Sequence, residues 1–257
     1  MLPLSKSKLK ELVAFKQQKV CDSQGFFVAE GEKLAAEIIA MRVPIHTLCA
    51  TGEWFDALQA AADASLCLRD PRQAYVVTGD QLGRLSSMRQ PNKVWMLIER
   101  SACGVHNYEP ETRDQELILV LDRIQDPGNL GTIIRTADWF GIRHIVCSPD
   151  TVSCFNPKVV QSTMGSLFRV GLGYCDLHEW LSTCGMPVYG ATLDGDDLRH
   201  SRLSTPAVLV VGNESRGISP SIRSLLTHRI AIPNTGGTCE SLNAAVATAI
   251  LVSRFVL

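Results

Sequence analysis

The chain has 257 residues, 46% hydrophobic and 20% charged, with a formal net charge of −1. That composition supplies ordinary buried cores, excludes a disordered chain, and confines any nucleic-acid site to a local basic patch. No run of ~20 apolar residues is present, so no membrane span is expected. The nine cysteines have neither an export signal nor paired CxxC spacing, which predicts reduced thiols, no metal site and a cytoplasmic protein.

In chain order, residues 1–20 interleave Leu9, Leu12, Val13 and Phe15 with Lys6, Lys8, Lys10, Lys16 and Lys19. The spacing is helical, and the charges form either a solvated face or a surface for a phosphate backbone. Phe26–Ala29 reads as a strand running into a helix over Glu32–Met41. Ile45–Ala50 reads as a strand, Trp54–Ala62 as a helix and Tyr75–Val77 as a strand. Thr78-Gly79-Asp80 is a helix cap and Val94–Ile98 a further strand. This alternation describes a small α/β domain over 1–100, with no nucleophile or acid/base pair in it. The polar segment 101–115 reads as a linker.

A second domain is expected over 116–257. Leu117–Leu121 is a strand and Asp126-Pro127-Gly128-Asn129 a turn, with Asn129 placed to cap a helix over Leu130–Phe140. Arg135 is a charge on that otherwise apolar helix, either snorkelling to solvent or aimed at phosphate or ribose. Ile142–Ser148 is a strand, and Asn156–Leu167 a helix with Asn156 as cap and Pro157 first. Val188–Leu193 is a strand that leaves Thr192 near its carboxyl end. Arg199, His200, Arg202, Arg216 and Arg223 are placed to form a basic rim. The branched run Ala207–Val211 suits a strand buried on both faces. It ends in Gly212-Asn213-Glu214, where the backbone must turn. Arg229–Ile232 is another strand; it opens into a glycine loop and then Ser241-Leu242-Asn243 before an apolar helix. Two strands thus deliver polar loops to one edge of a parallel sheet, the edge where ligands bind in open α/β folds. A dinucleotide GxGxxG unit and a hydrolase GxSxG are both absent from the sequence.

Three stretches, LDRIQDPGNLGTIIRTADWFG, VVGNESRGIS and IPNTGGTCESLNAAVATAIL, resemble in order and spacing the motifs of the SpoU (TrmH-type) RNA 2′-O-ribose methyltransferases of the SPOUT superfamily. FFVAEGEKLAAEII resembles that family's L30e-like substrate-binding domain. The fold implied is α/β, a mostly parallel sheet with a C-terminal trefoil knot, preceded by the small L30e-like α/β domain. The resemblance further implies S-adenosyl-L-methionine as cofactor, RNA as partner and a homodimer. Carried over by motif, Asn129 and Arg135 belong to the first motif, Glu214 to the second, and Ser241 and Asn243 to the third, as catalytic candidates. Thr192, Leu193, Gly212, Asn213, Ile232 and Leu242 are the cofactor-binding candidates.

Arginine keeps its proton at physiological pH, so Arg135 is expected to act by charge and by positioning phosphate. Asn129, Ser241 and Asn243 are expected to fix the hydroxyl, and Glu214 to orient Arg135 or a backbone turn. Two features depart from the family pattern: Ser215-Arg216 replaces a glycine after the glutamate, and Asn234 replaces a methionine after Ile232-Pro233. The expected activity is methylation of a ribose 2′-hydroxyl in rRNA or tRNA. The alternatives are a non-catalytic RNA-binding protein of the same fold, acting in ribosome assembly, and a base-modifying knotted methyltransferase.

Overall fold

Apolar runs too continuous to alternate faces demand strands covered on both sides, and they fall where expected in the computed structural model, which describes residues 1–60, 66–106 and 117–257. The chain divides into two compact units, Met1–Cys103 with Phe155–Gly165, and Gly104–Cys154 with Ser166–Leu257.

The first unit holds one sheet, in spatial order Leu2–Pro3, Ala74–Val76, Ile45–Ala50, Val94–Glu99 and Phe26–Glu30. Val94–Glu99 runs antiparallel to both its neighbours; the other pairings are parallel. The amino-terminal segment is a helix, Lys6–Val13, capped by Ser5, with a second helix over Gln18–Gln24. Leu9, Leu12 and Phe15 are core residues packed with Leu82, Leu85, Trp95 and Leu97. Lys6, Lys10, Lys16 and Lys19 stay exposed. The segment is therefore structural as well as basic, and deleting it would open the core. Thr78 completes a capping box with Gln81 at the Gly79–Leu85 helix. Glu30 is buried and accepts hydrogen bonds from Ser86 Oγ and from the Ser87 N–H; burial pushes its carboxyl above the ordinary range.

Helix Pro157–Thr163 belongs to this first unit. It starts as expected, with Asn156 accepting from the Lys158 N–H and Pro157 in the first turn. It stops four residues before the expected Leu167, because Met164 (φ 50°) and Gly165 (φ 93°) turn the backbone left-handed.

The second unit carries a wholly parallel sheet. Its order is His228–Ala231, Val188–Asp197, Ala207–Gly212, Leu117–Asp122, His144–Cys147, Gly171–Tyr174 and Val105–His106. Gly171–Tyr174 and helix Leu177–Thr183 escape the sequence reading, since Gly171 and Gly173 interrupt the apolar pattern. So does Val105–His106, which pairs through its backbone with Leu172–Gly173. The start of the segment read as a linker over 101–115 is thus a sheet edge; 107–116 lie outside the described residues. The same holds for 61–65, where the helix expected over Trp54–Ala62 is described as Gly52–Ala60. No described helix is long and apolar enough to cross a membrane.

Leu117–Asp122 is the pivot of the sheet. On one side the chain proceeds strand by strand through His144–Cys147 to Gly171–Tyr174; it then returns to build the other side, inserting Ala207–Gly212 directly beside Leu117–Asp122. The strand order reverses where Gly212 pairs with Asp122. Such a switch point leaves a crevice outside the carboxyl ends of the strands.

Candidate functional site

Loops from three sequence-distant places reach that crevice, and each is shaped by its own local chemistry. After Leu117–Asp122, the chain turns at Arg123 (φ 61°), whose N–H donates to Ser148 Oγ at 2.8 Å. The helix that follows spans Pro127–Trp139 and is capped by Asp126, with Pro127 in the first turn. This corrects the expectation that Asn129 is the cap. Asp-Pro is itself a helix-start signal, and Asn129 lies inside the first turn with its backbone N–H on Asp126 Oδ1 at 2.8 Å.

Relieved of capping, the Asn129 amide binds outward on both sides. Its Nδ2 donates to Glu214 Oε1 at 2.5 Å, and its Oδ1 accepts from Asn243 Nδ2 at 2.8 Å. Asn243 in turn caps helix Ala244–Val256, its Oδ1 accepting from the N–H groups of Ala245 and Val246. Glu214, Asn129 and Asn243 thus form one hydrogen-bonded chain across the three motifs, and it fixes which end of the Asn129 amide faces which partner. Glu214 orients Asn129; among the described residues it has no bond to Arg135, the partner expected for it.

The loop after Gly212 is equally determined. A Cβ at Gly212 would lie 2.3 Å from the Gly217 carbonyl carbon, so only glycine permits the approach. Asn213 Oδ1 accepts from the Ser215 and Arg216 N–H groups at 3.0 and 3.1 Å, and its Nδ2 donates to the Arg123 carbonyl at 3.0 Å. Its amide therefore shapes the loop. Asp122, buried beneath, accepts from the Ser219 N–H at 2.6 Å and from Arg123 Nε at 3.1 Å. The sequence reading gives Asp122 no role and Asp126 only that of a turn residue, although both are acidic residues at the end of a strand or the start of a helix.

Arg135 is exposed, and it makes no side-chain hydrogen bond or ion pair among the described residues. Ser241 is likewise exposed in the loop before Asn243. That loop is organised by Asn234, one of the departures: its Oδ1 accepts from the Gly236 and Gly237 N–H groups at 3.0 and 2.8 Å, and its Nδ2 donates to the Gly237 carbonyl at 2.9 Å. Asn234 thus holds by hydrogen bonds a turn that a methionine could not.

Among the cofactor candidates, Leu193 is 79% and Leu242 47% exposed, both apolar side chains open to solvent. Thr192 buries its Oγ1 beside the Asp194 carboxylate without a hydrogen bond of standard geometry. Ile232 is half-buried. Leu193 and Leu242 offer apolar contacts to a ligand, whereas the space at Gly212 is filled by the Gly217 backbone and the Thr192 hydroxyl is buried against Asp194. The basic rim is smaller than the sequence implies. Asp197 accepts from Arg199 with both carboxylate oxygens, and that guanidinium pulls the pKa of the Asp197 carboxyl down to about 2. Asp194 holds Arg223 and Arg229. Among the described residues no cluster of three or more His, Cys, Asp or Glu is arranged to hold a metal.

A parallel sheet with a hydrogen-bonded polar cluster at its switch point defines an α/β protein of the class that binds ligands at the carboxyl edge of its strands. The chain belongs to the SpoU rRNA methylase family, whose model matches residues 116–253, and a substrate-binding domain of the MRM3-like kind matches residues 6–95. It is 29% identical to a Bacillus subtilis 23S rRNA (guanosine(2553)-2′-O)-methyltransferase, over 95% of this chain and 98% of that one. A TrmH-family structure from Porphyromonas gingivalis is 36% identical, with a TM-score of 0.81 over 98% of both chains. An AdoMet-bound rRNA methyltransferase structure from Sinorhizobium meliloti is 29% identical, with a TM-score of 0.78 over 99% of this chain and 96% of that one.

Proposed function

We propose that this protein transfers a methyl group from S-adenosylmethionine to a ribose 2′-hydroxyl of ribosomal RNA. The observation that carries the reading is the Glu214–Asn129–Asn243 chain, which fixes three loops at the switch point; the helix it holds by Asn129 also carries Arg135, exposed and with no side-chain bond among the described residues. Membership of the rRNA methylase family and an AdoMet-bound relative support the cofactor.

In this reading Thr192, Leu193, Gly212, Ile232 and Leu242 hold the cofactor, with Asn213 shaping the loop around it. When bound, the cofactor supplies an electrophilic methyl on a sulfonium. The rest of the chemistry is positioning. Arg135 keeps its proton and offers a planar, charged donor to the ribose or its phosphate as negative charge develops. Asn129 and Asn243, whose rotamers are set by their mutual bond, orient the hydroxyl together with Ser241. Glu214 holds the amide of Asn129 and touches no reacting atom. The knot belongs to the same reading: the C-terminal segment is assigned to thread a loop of the sheet's carboxyl edge, where the loop after Ala207–Gly212 is bound at Ser219 to Asp122. The first unit, an L30e-like module with its exposed lysines, is assigned to RNA, and the protein to the cytoplasm where ribosomes are made.

The test is calorimetric titration with S-adenosylmethionine and, separately, NAD, followed by nucleoside analysis of rRNA incubated with enzyme and cofactor. Binding of S-adenosylmethionine alone and a new 2′-O-methylnucleoside are expected. Methylation on a base, or binding of NAD instead, would sink the reading.

The active form is assigned as a homodimer. Trp139 is 85%, Val246 49% and Ile250 38% exposed, on two helices that pack together. Val246 and Ile250 lie one turn apart, as do Arg135 and Trp139. An exposed apolar strip of this kind marks an interface, and a second copy seated there would close over Arg135. Trp139→Lys combined with Val246→Lys is expected to halve the mass seen by light scattering while leaving the circular dichroism unchanged. An unaltered mass would place any interface elsewhere.

A further inference from the structure

The strand Val188–Asp197 pairs twice with the same residue of its neighbour: Ala191 lies opposite Ile230, and so does Asp196. The four residues between, Thr192–Gly195, are therefore thrown out of the ladder. This excursion is unfavourable on its own account, since it buries the Thr192 hydroxyl without a proper partner and leaves Leu193 79% exposed. Something must hold it. At its far end Gly195 is pressed against the neighbouring strand so closely that a Cβ would lie 2.6 Å from the Arg229 carbonyl carbon and the Ile230 nitrogen. At its crest Asp194 Oδ2 accepts from Arg223 Nη2 at 2.5 Å and from Arg229 Nη1 at 3.0 Å. Arg223 ends the short helix Pro220–Arg223, and Arg229 lies on the edge strand. The carboxylate thus ties the excursion to two elements at once, and Arg223, which the sequence reading placed in a basic rim, is occupied together with Arg229.

We propose that Asp194 is a positioning residue for cofactor binding: with Arg223 and Arg229 it staples the Thr192–Gly195 excursion into the shape that presents Leu193 to the cofactor. This rests on the assignment of Thr192 and Leu193 to the cofactor site. Each exposed ion pair contributes little to global stability. A loop held in its bound shape, however, loses less entropy when the ligand arrives, so the staple acts on affinity more than on folding. The pairs lie in solvent and are screened by salt, which gives the staple a signature that packing lacks.

The experiment is titration of S-adenosylmethionine, and of S-adenosylhomocysteine as an unreactive probe, into the wild type, Asp194→Asn, Asp194→Glu and Arg223→Gln at low and high salt. Asp194→Asn is expected to weaken both ligands about tenfold at low salt, with the loss appearing in the cofactor KM more than in kcat. Asp194→Glu is expected to recover most of the affinity, and Arg223→Gln, which leaves Arg229 in place, to show an intermediate loss. Wild-type affinity is expected to fall with salt more steeply than that of Asp194→Asn. Affinity within twofold of wild type in both Asp194→Asn and Arg223→Gln, or identical salt slopes, would overturn the staple while leaving the cofactor assignment standing. Failure of the wild type to bind either ligand would overturn the cofactor assignment and the staple with it.

Discussion

Arg135→Ala is expected to lower the rate of methyl transfer by at least 10²–10³-fold, the scale on which removal of one preorganised charge acts in other enzymes, while S-adenosylmethionine binds within about threefold of wild type. The physical basis is the position of the side chain. It is exposed, with no ion pair among the described residues, so its removal leaves no buried partner unsatisfied and the fold is unaffected. Its loss is felt only where substrate charge develops. Arg135→Lys keeps the charge and loses the planar fork; it is expected to retain more rate than the alanine variant and less than wild type. The check is single-turnover methylation with cofactor and RNA both saturating, alongside cofactor titration. Full turnover by Arg135→Ala would remove the residue from the mechanism.

The second large effect falls on Asn129, and its sign depends on hydrogen-bond polarity. Asn129→Ala removes the link between Glu214 and Asn243, and each loses one partner. Asn129→Asp is nearly isosteric yet worse. It replaces the donor facing Glu214 Oε1, 2.5 Å away, with a carboxylate oxygen, placing two negative charges in contact. A loss of 10²-fold or more in kcat/KM, together with a lowered melting temperature, is expected at neutral pH. Adding Glu214→Gln to Asn129→Asp restores a donor–acceptor pair with the polarity reversed, because the new amide can donate to the new carboxylate. The double variant is expected to recover stability and part of the activity relative to Asn129→Asp alone. Additive losses in that cycle would show that Glu214 and Asn129 act separately.

What the sequence by itself determined is what local chemistry encodes. The branched apolar runs at Leu117–Leu121 and Ala207–Val211 are buried parallel strands, Asn156-Pro157 starts a helix, Thr78 caps one, and three ordered motifs placed the chain in its family. Local signals failed where two of them competed. Asp126 and Asn129 can both cap a helix, and Pro127, restricted to the first turn, decided for Asp126. They failed also where glycine or strand brevity weakens the pattern, as at Gly171–Tyr174 and Val105–His106.

The partners of the site residues were decided only by tertiary structure. Glu214 and Asn243 bond to Asn129 across 85 and 114 residues of chain, contacts set by the sheet order that pairs Ala207–Gly212 with Leu117–Asp122 rather than by any residue's own preference. The same holds for the burial of Leu9, Leu12 and Phe15 beneath a lysine-rich surface, and for the four-residue excursion at Thr192–Gly195. A side chain's residue type tells what it can donate or accept. The register that places Gly212 opposite Asp122 determines which donor meets which acceptor, and register belongs to the assembled sheet.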